Sequence, residues 1–134
     1  MSVLFVCTGN TCRSPMAQAL YEHITGEKAS SAGLGVSSPQ PISDHALLAL
    51  ESKGITDFSH LSRQITVEDV KEADLILVMT HMHQNLLVSV CPEYADKIRL
   101  LGENRDIADP YGGSLQQYIS CCDEIEHCIR RVLC

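Results

Sequence analysis

Val3-Leu4-Phe5-Val6-Cys7-Thr8-Gly9-Asn10-Thr11-Cys12-Arg13-Ser14-Pro15 decides the fold of this chain. Val3–Cys7 is an apolar run of strand length, rich in β-branched and aromatic side chains. Small polar residues follow, and Pro15, whose ring fixes φ, suits a first helical turn. A strand that passes into a helix through such a loop can aim the intervening backbone N–H groups at one point, where they would hold a phosphate-sized anion. Cys7 brings a thiol to the loop mouth, and Arg13 follows after five residues. The loop amides, the helix dipole and Arg13 are together expected to depress the Cys7 pKa toward a thiolate.

Outward from this loop the pattern alternates between strand and helix. Met16, Ala17, Leu20 and Ile24 form one stripe of a helix over Pro15–Ile24, with Gly26 at its stop. Lys28–Leu34 reads as a short strand, and Leu34–Ile42 as a loop on the rim of the site. Ser43 is placed to cap a helix reaching Lys53, with Leu47 and Leu50 inward and Gly54 ending it. Ile55–Ile65 is polar and irregular, and Thr66-Val67-Glu68-Asp69 has the form of a capping box. Leu75-Ile76-Leu77-Val78-Met79, within a strand over Asp74–Thr80, is apolar on both faces, as a covered central parallel strand must be. Its end, Thr80-His81-Met82-His83, should open on the active-site edge.

A helix over His83–Val90, a weak strand at Lys97–Leu101 and a polar loop at Asn104–Gly113 follow. Ser114 and Gln117 then start the longest helix, with Leu115, Tyr118, Ile119, Cys122, Ile125, Ile129 and Val132 on one stripe under a polar face of Asp123, Glu124, His127, Arg130 and Arg131. This order predicts one α/β domain over residues 1–134, a three-layer sandwich with a four-stranded parallel sheet. Sites in such sheets lie beyond the carboxyl ends of the strands, where Cys7 falls.

Bulk properties narrow the function. Of 134 residues, 10 are basic and 17 acidic, net −7, without a basic run, which argues against nucleic acid as a partner. Met1–Cys7 has no charged leader segment, and no stretch approaches membrane-spanning length, so a cytoplasmic protein without membrane partners is expected. The seven cysteines are odd in number and irregularly spaced, unlike a secreted disulfide framework. Cys121, Cys122, His127, Cys128 and Cys134 carry zinc-type ligands but lack paired ligand spacing, so they read as helix residues and no metal is expected.

Cys7 to Ser14 fits Cys-x5-Arg-Ser, a nucleophilic thiol and a guanidinium bracketing an anion loop. A Walker loop from Gly9 would need Gly at Ser14 and Lys at Pro15, so no nucleotide or magnesium site is indicated. Backbone amides and the planar fork of Arg13 would hold the phosphate without cofactor, the arrangement of a metal-free phosphatase. The leaving group needs a proton donor. Asp109, kept extended by Pro110, is the candidate.

On these motifs the chain resembles the low-molecular-weight protein tyrosine phosphatase family over nearly its whole length. The resemblance runs from Val3–Cys7, Gly9-Asn10, Cys12–Ala17 and Ser31-Ala32-Gly33 through Ser62–Thr66 and Ala73–Ile76 to Asp109-Pro110. It implies Cys7 as nucleophile, Arg13 as phosphate clamp and Asp109 as general acid and then base. It further implies a substrate-binding loop of Thr8, Gly9, Asn10, Thr11, Cys12 and Ser14, with Ser14 donating to the thiolate, Asn10 bracing the loop and Cys12 able to form a protective disulfide with Cys7. Substrates would be phosphorylated proteins, the product inorganic phosphate, and the enzyme a monomer.

Thr11, Tyr111-Gly112-Gly113-Ser114 and Thr80–His83 are similar to the bacterial protein arginine phosphatases. Tyrosine-directed members carry an aliphatic residue in place of Thr11 and an aromatic pair after Asp-Pro. Loss of aromatic walls weakens a phenol slot, and a β-branched hydroxyl narrows the floor for a planar guanidinium. Phosphoarginine hydrolysis through a phosphocysteine is thus the leading expectation, with phosphotyrosine hydrolysis as the alternative. Arsenate reduction would need two relay cysteines where only Cys91 is found between His81 and Asp96. A non-catalytic redox or phosphate-sensing module would leave Asp109 without work. His45, His60, His81 and His83 read as surface or hydrogen-bonded structural residues, with His81 near the rim.

Overall fold

The computed structural model describes residues 1–134. Four parallel strands, β1 (Val3–Cys7), β2 (Ser30–Gly33), β3 (Leu75–Val78) and β4 (Ile98–Leu100), form one sheet in the order β2-β1-β3-β4. Register is set by Val6, which lies opposite Ala32 on one side and Val78 on the other. Five α-helices flank the sheet: α1 (Arg13–Thr25), α2 (Asp44–Glu51), α3 (Val67–Glu72), α4 (His81–Val90) and α5 (Leu115–Leu133). The expected three-layer α/β sandwich is present.

Strand parity builds the layers. Val3, Phe5 and Cys7 point into a core shared with Met16, Leu20, Leu50 and Ile125 of α1, α2 and α5, while Leu4 and Val6 enter a second core with Val70 and Leu87 of α3 and α4. Because side chains alternate along a strand, Cys7 faces the α1 side. β1 and β3 are adjacent, yet their helices leave on opposite faces of the sheet. The crevice this opens at the strand ends is where α/β sheets place ligands.

Several boundaries differ from the sequence reading. α1 begins at Arg13, two residues before Pro15, which still occupies the first turn, and Gly26 closes it with φ 76°. α4 begins at His81, because Thr80 leaves the strand and accepts a hydrogen bond from the His83 amide. The segment Thr80–His83 is therefore a helix start, not a strand end. Lys28–Leu34 contracts to Ser30–Gly33, and a 3₁₀ turn over Pro92–Lys97 went unanticipated. Ser43, Thr66 and Ser114 cap their helices as expected, the last two in reciprocal capping boxes with Asp69 and Gln117.

Candidate active site

The loop between β1 and α1 closes around the Cys7 sulfur. Asn10 occupies the left-handed region at φ 56° while fully buried, a conformation that costs about 1 kcal/mol for a residue with a Cβ. Hydrogen bonds of its side chain hold Asn10 in it. The Arg63 amide donates to Asn10 Oδ1 at 3.0 Å, and Asn10 Nδ2 donates to Ser14 Oγ at 2.7 Å. Ser14 Oγ thus has its own proton free for the Cys7 sulfur, 2.9 Å away. The Asn10 N–H reaches the same sulfur at 3.2 Å. Ser14 Oγ lies within hydrogen-bond reach of both Asn10 Nδ2 and the Cys7 sulfur.

The amides of Thr8, Gly9, Thr11 and Cys12 bond to no acceptor within the protein. Four adjacent free donors at a helix N-terminus select an anion. The cavity they line, about 220 Å³, is bounded by Cys7, Thr8, Gly9, Asn10, Thr11, Cys12, Arg13, Asp109 and Tyr111. Every residue the sequence singled out for the site borders it except Ser14, which lies beneath, buried against the sulfur.

Arg13 is 4% exposed, and its guanidinium is aimed by a hydrogen bond from Nη1 to the Ile107 carbonyl at 2.7 Å. Its Nη2 lies 3.5 Å from Asp109 Oδ2. The other Asp109 oxygen accepts from the Tyr111 amide at 3.1 Å, so the turn that Pro110 initiates holds the carboxyl over the loop with half its side chain in solvent. Asp109 is thereby both tethered and open to solvent.

One expectation is reversed. Cys7 is 3% exposed, and burial pushes its thiol above the ordinary value. The Ser14 hydroxyl and amide, the Arg13 charge and the Asn10 N–H all pull the other way without overcoming that desolvation. The Cys12 sulfur lies 3.4 Å from the Tyr118 hydroxyl and 3.6 Å from Ser43 Oγ, on the α5 side of the loop.

Two of the histidines are hydrogen-bonded to the loop, with partners the sequence did not name. His60 Nε2 lies 2.7 Å from the Asn10 carbonyl, so it must donate there and supports the left-handed residue from the Ile55–Ile65 segment. His83 Nε2 lies 2.8 Å from Thr8 Oγ1. Neither had a local signal, since each acts across more than 49 residues of chain. A hint was available for His60 only in its position two residues before Ser62-Arg63. His81 pairs with Asp106 at 2.7 Å on the exposed rim. Cys121, Cys122 and Cys128 are buried on α5, where burial pushes the thiols of the first two up to about 12.

A family model described as low molecular weight phosphotyrosine protein phosphatase matches residues 2–133. The chain belongs to this family. It is 42% identical over 137 residues to a protein-arginine-phosphatase of Geobacillus stearothermophilus, covering 97% of this chain and 92% of that one. It is 33% identical over 139 residues to the low molecular weight protein-tyrosine-phosphatase PtpB of Staphylococcus haemolyticus, covering 98% and 97%. Among solved structures, the YwlE arginine phosphatase, in a C7S mutant with phosphorylated active site serine, superposes with a TM-score of 0.92 at 39% identity, covering 98% of this chain and 93% of that one.

Proposed function

We propose that this protein is a cysteine-dependent, metal-independent protein phosphatase that hydrolyses phosphoarginine, with Cys7, Arg13 and Asp109 as its catalytic residues. The loop amides and Arg13 hold the three outer phosphoryl oxygens. The Cys7 sulfur, as thiolate, attacks phosphorus, the P–N bond breaks, and Asp109 delivers its proton to the departing guanidine nitrogen. Water then attacks the phosphocysteine, its proton passes to Asp109, and inorganic phosphate leaves with the thiolate restored. Ser14 stabilises that thiolate each time it forms.

The observation that carries the substrate assignment is Thr11, which lines the loop cavity together with Asp109. Its hydroxyl and branched Cβ suit a planar polar group better than a phenol, and Asp109 is an anionic partner for guanidinium. The relatives named for arginine phosphatase activity support the same reading. One observation favours phosphotyrosine as the second reading: Tyr111, 77% exposed at the cavity mouth, offers an aromatic face. The test compares kcat/KM for phosphoarginine and phosphotyrosine in the wild type and in Thr11→Ile. Preference for phosphoarginine that falls in the variant is the expected result, and an unchanged ratio overturns the role given to Thr11.

A further inference from the structure

We propose that His83 is a positioning residue of the phosphate loop, acting through Thr8 to turn its hydroxyl into a hydrogen-bond donor for the bound anion. This goes beyond the machinery of Cys7, Arg13 and Asp109, and it rests on the anion loop rather than on which phosphorylated side chain enters it.

Placement comes from the fold. β1 and β3 are neighbours whose following helices diverge, so the first residue after β1 and the first turn of α4 face each other across the crevice. Thr80 caps α4 by accepting from the His83 amide at 3.1 Å, which fixes the His83 backbone one turn from the strand end. From there the imidazole reaches Thr8 Oγ1 at 2.8 Å. His83 is 1% exposed, whereas Thr8 is exposed and lines the cavity with Cys7 and Arg13. A buried side chain on one element therefore holds an exposed one on another.

His83 Nδ1 is buried and has no hydrogen-bond partner. That orphan atom decides the direction of the contact. A neutral imidazole carries one proton. Placed on Nδ1, the proton would sit on a buried donor without an acceptor, the rarest and costliest kind of unmet group. Placed on Nε2, it is donated to Thr8 Oγ1, and only a lone pair at Nδ1 stays unmet. With its oxygen accepting from His83, Thr8 has its hydroxyl proton left for the cavity. There it adds a side-chain donor to the free amides of Thr8, Gly9, Thr11 and Cys12. The groups around the ring agree with neutrality: burial and the Arg13 charge disfavour imidazolium, against a weaker pull from Asp106 and Asp109. A His83 that shuttled protons to substrate would need an open path, which its burial denies.

The test uses the reduced wild-type protein with an aryl phosphate as substrate and inorganic phosphate as competitive inhibitor, so it does not depend on phosphoarginine turnover. Nitrogen NMR of the imidazole at neutral pH should show the proton on Nε2. Thr8→Val, which keeps shape at an exposed position, should raise the phosphate Ki about tenfold, the value of one charge-assisted hydrogen bond. His83→Leu should raise it about threefold, since Thr8 keeps its hydroxyl but loses its orientation. The double variant should match Thr8→Val alone. A proton on Nδ1, an unchanged Ki in Thr8→Val or in His83→Leu, or losses that add in the double variant would each overturn the proposal. If His83→Leu does not fold, the nitrogen spectrum and Thr8→Val still decide it. Failure of phosphoarginine turnover with these results intact would overturn the substrate assignment and leave this one standing.

Discussion

The Cys7 sulfur and the Ser14 hydroxyl lie 2.9 Å apart inside a buried loop, and the Ser14 oxygen is itself held by Asn10 Nδ2 at 2.7 Å. This relay fixes which way the Ser14 proton points. Burial raises the Cys7 pKa, and Ser14 is the largest of the forces that lower it. Ser14→Ala should therefore raise it further, as expected for loss of a hydrogen bond to a charged group. Because the thiolate fraction falls as the pKa rises, the rate of Cys7 alkylation by iodoacetate at neutral pH should fall by at least about tenfold, the worth of such a bond. An alkylation profile superimposable on the wild type would show that Ser14 does not stabilise the thiolate.

Gly33 ends β2 where the strand runs closest to the phosphate loop. A Cβ there would lie 2.5 Å from the Thr8 carbonyl oxygen, 2.6 Å from Val36 Cγ2 and 3.1 Å from Asn10 Cβ. The restriction is one of space. Gly33→Ala should push the loop away from β2, lowering stability by about 1–3 kcal/mol, as overpacking does, together with kcat/KM. Gly35→Ala is the control, since its Cβ would meet only Thr8 Cγ2 at an ordinary 3.9 Å. Urea unfolding and turnover of both variants check this; equal behaviour of the two would refute it.

Asp109 is expected to matter in proportion to how badly the leaving group needs a proton. Asp109→Asn should lower kcat for a basic leaving group by about 10²–10⁴-fold, the usual worth of a placed general acid. For an aryl phosphate with an acidic phenol, the loss of the phosphorylation step should be much smaller. The substitution also removes the carboxylate 3.5 Å from Arg13 Nη2, which should leave the guanidinium more attractive to anions and lower the inorganic phosphate Ki. Single-turnover rates across a series of leaving groups, with phosphate inhibition measured alongside, check both parts. A loss independent of the leaving group would exclude Asp109 as the acid.

What the sequence made legible follows from range. β1, its loop and the first turn of α1 are specified within a dozen residues by a continuous apolar run, small polar residues and Pro15; β1 spans the expected residues, and α1 starts two residues earlier than Pro15. Capping residues Ser43, Thr66 and Ser114 were equally local. The failures are contacts made over long separations. Nothing near His83 in sequence announces Thr8, 75 residues away, and nothing near Cys12 announces Tyr118, 106 residues away. The Cys7 pKa failed for a related reason: the donors that lower it lie in its own loop and can be read, whereas the desolvation that raises it comes from burial in a core assembled from distant parts of the chain. The β2 strand was overestimated: of Lys28–Leu34 only Ser30–Gly33 pairs as a strand, in register with Leu4 to Cys7 of β1.

His83 also leaves a signature in the pH dependence of stability. Its folded-state pKa is lowered to about 4 by burial first and the Arg13 charge second, against an ordinary value of 6.5. In that interval the unfolded chain binds a proton that the folded chain refuses. Stability should therefore fall as pH drops from about 6.5 toward 4 and recover as pH rises, with a contribution on the order of 3 kcal/mol across the window. Above pH 7 His83 is neutral in both states and adds nothing. His83→Gln cannot titrate, so its stability curve should be flatter than the wild type between pH 6.5 and 4, with the two curves parallel above pH 7. Urea unfolding at half-unit intervals measures the difference. Parallel curves across the whole range would mean that His83 takes up its proton in the folded protein, and that the orphaned Nδ1 has found a partner.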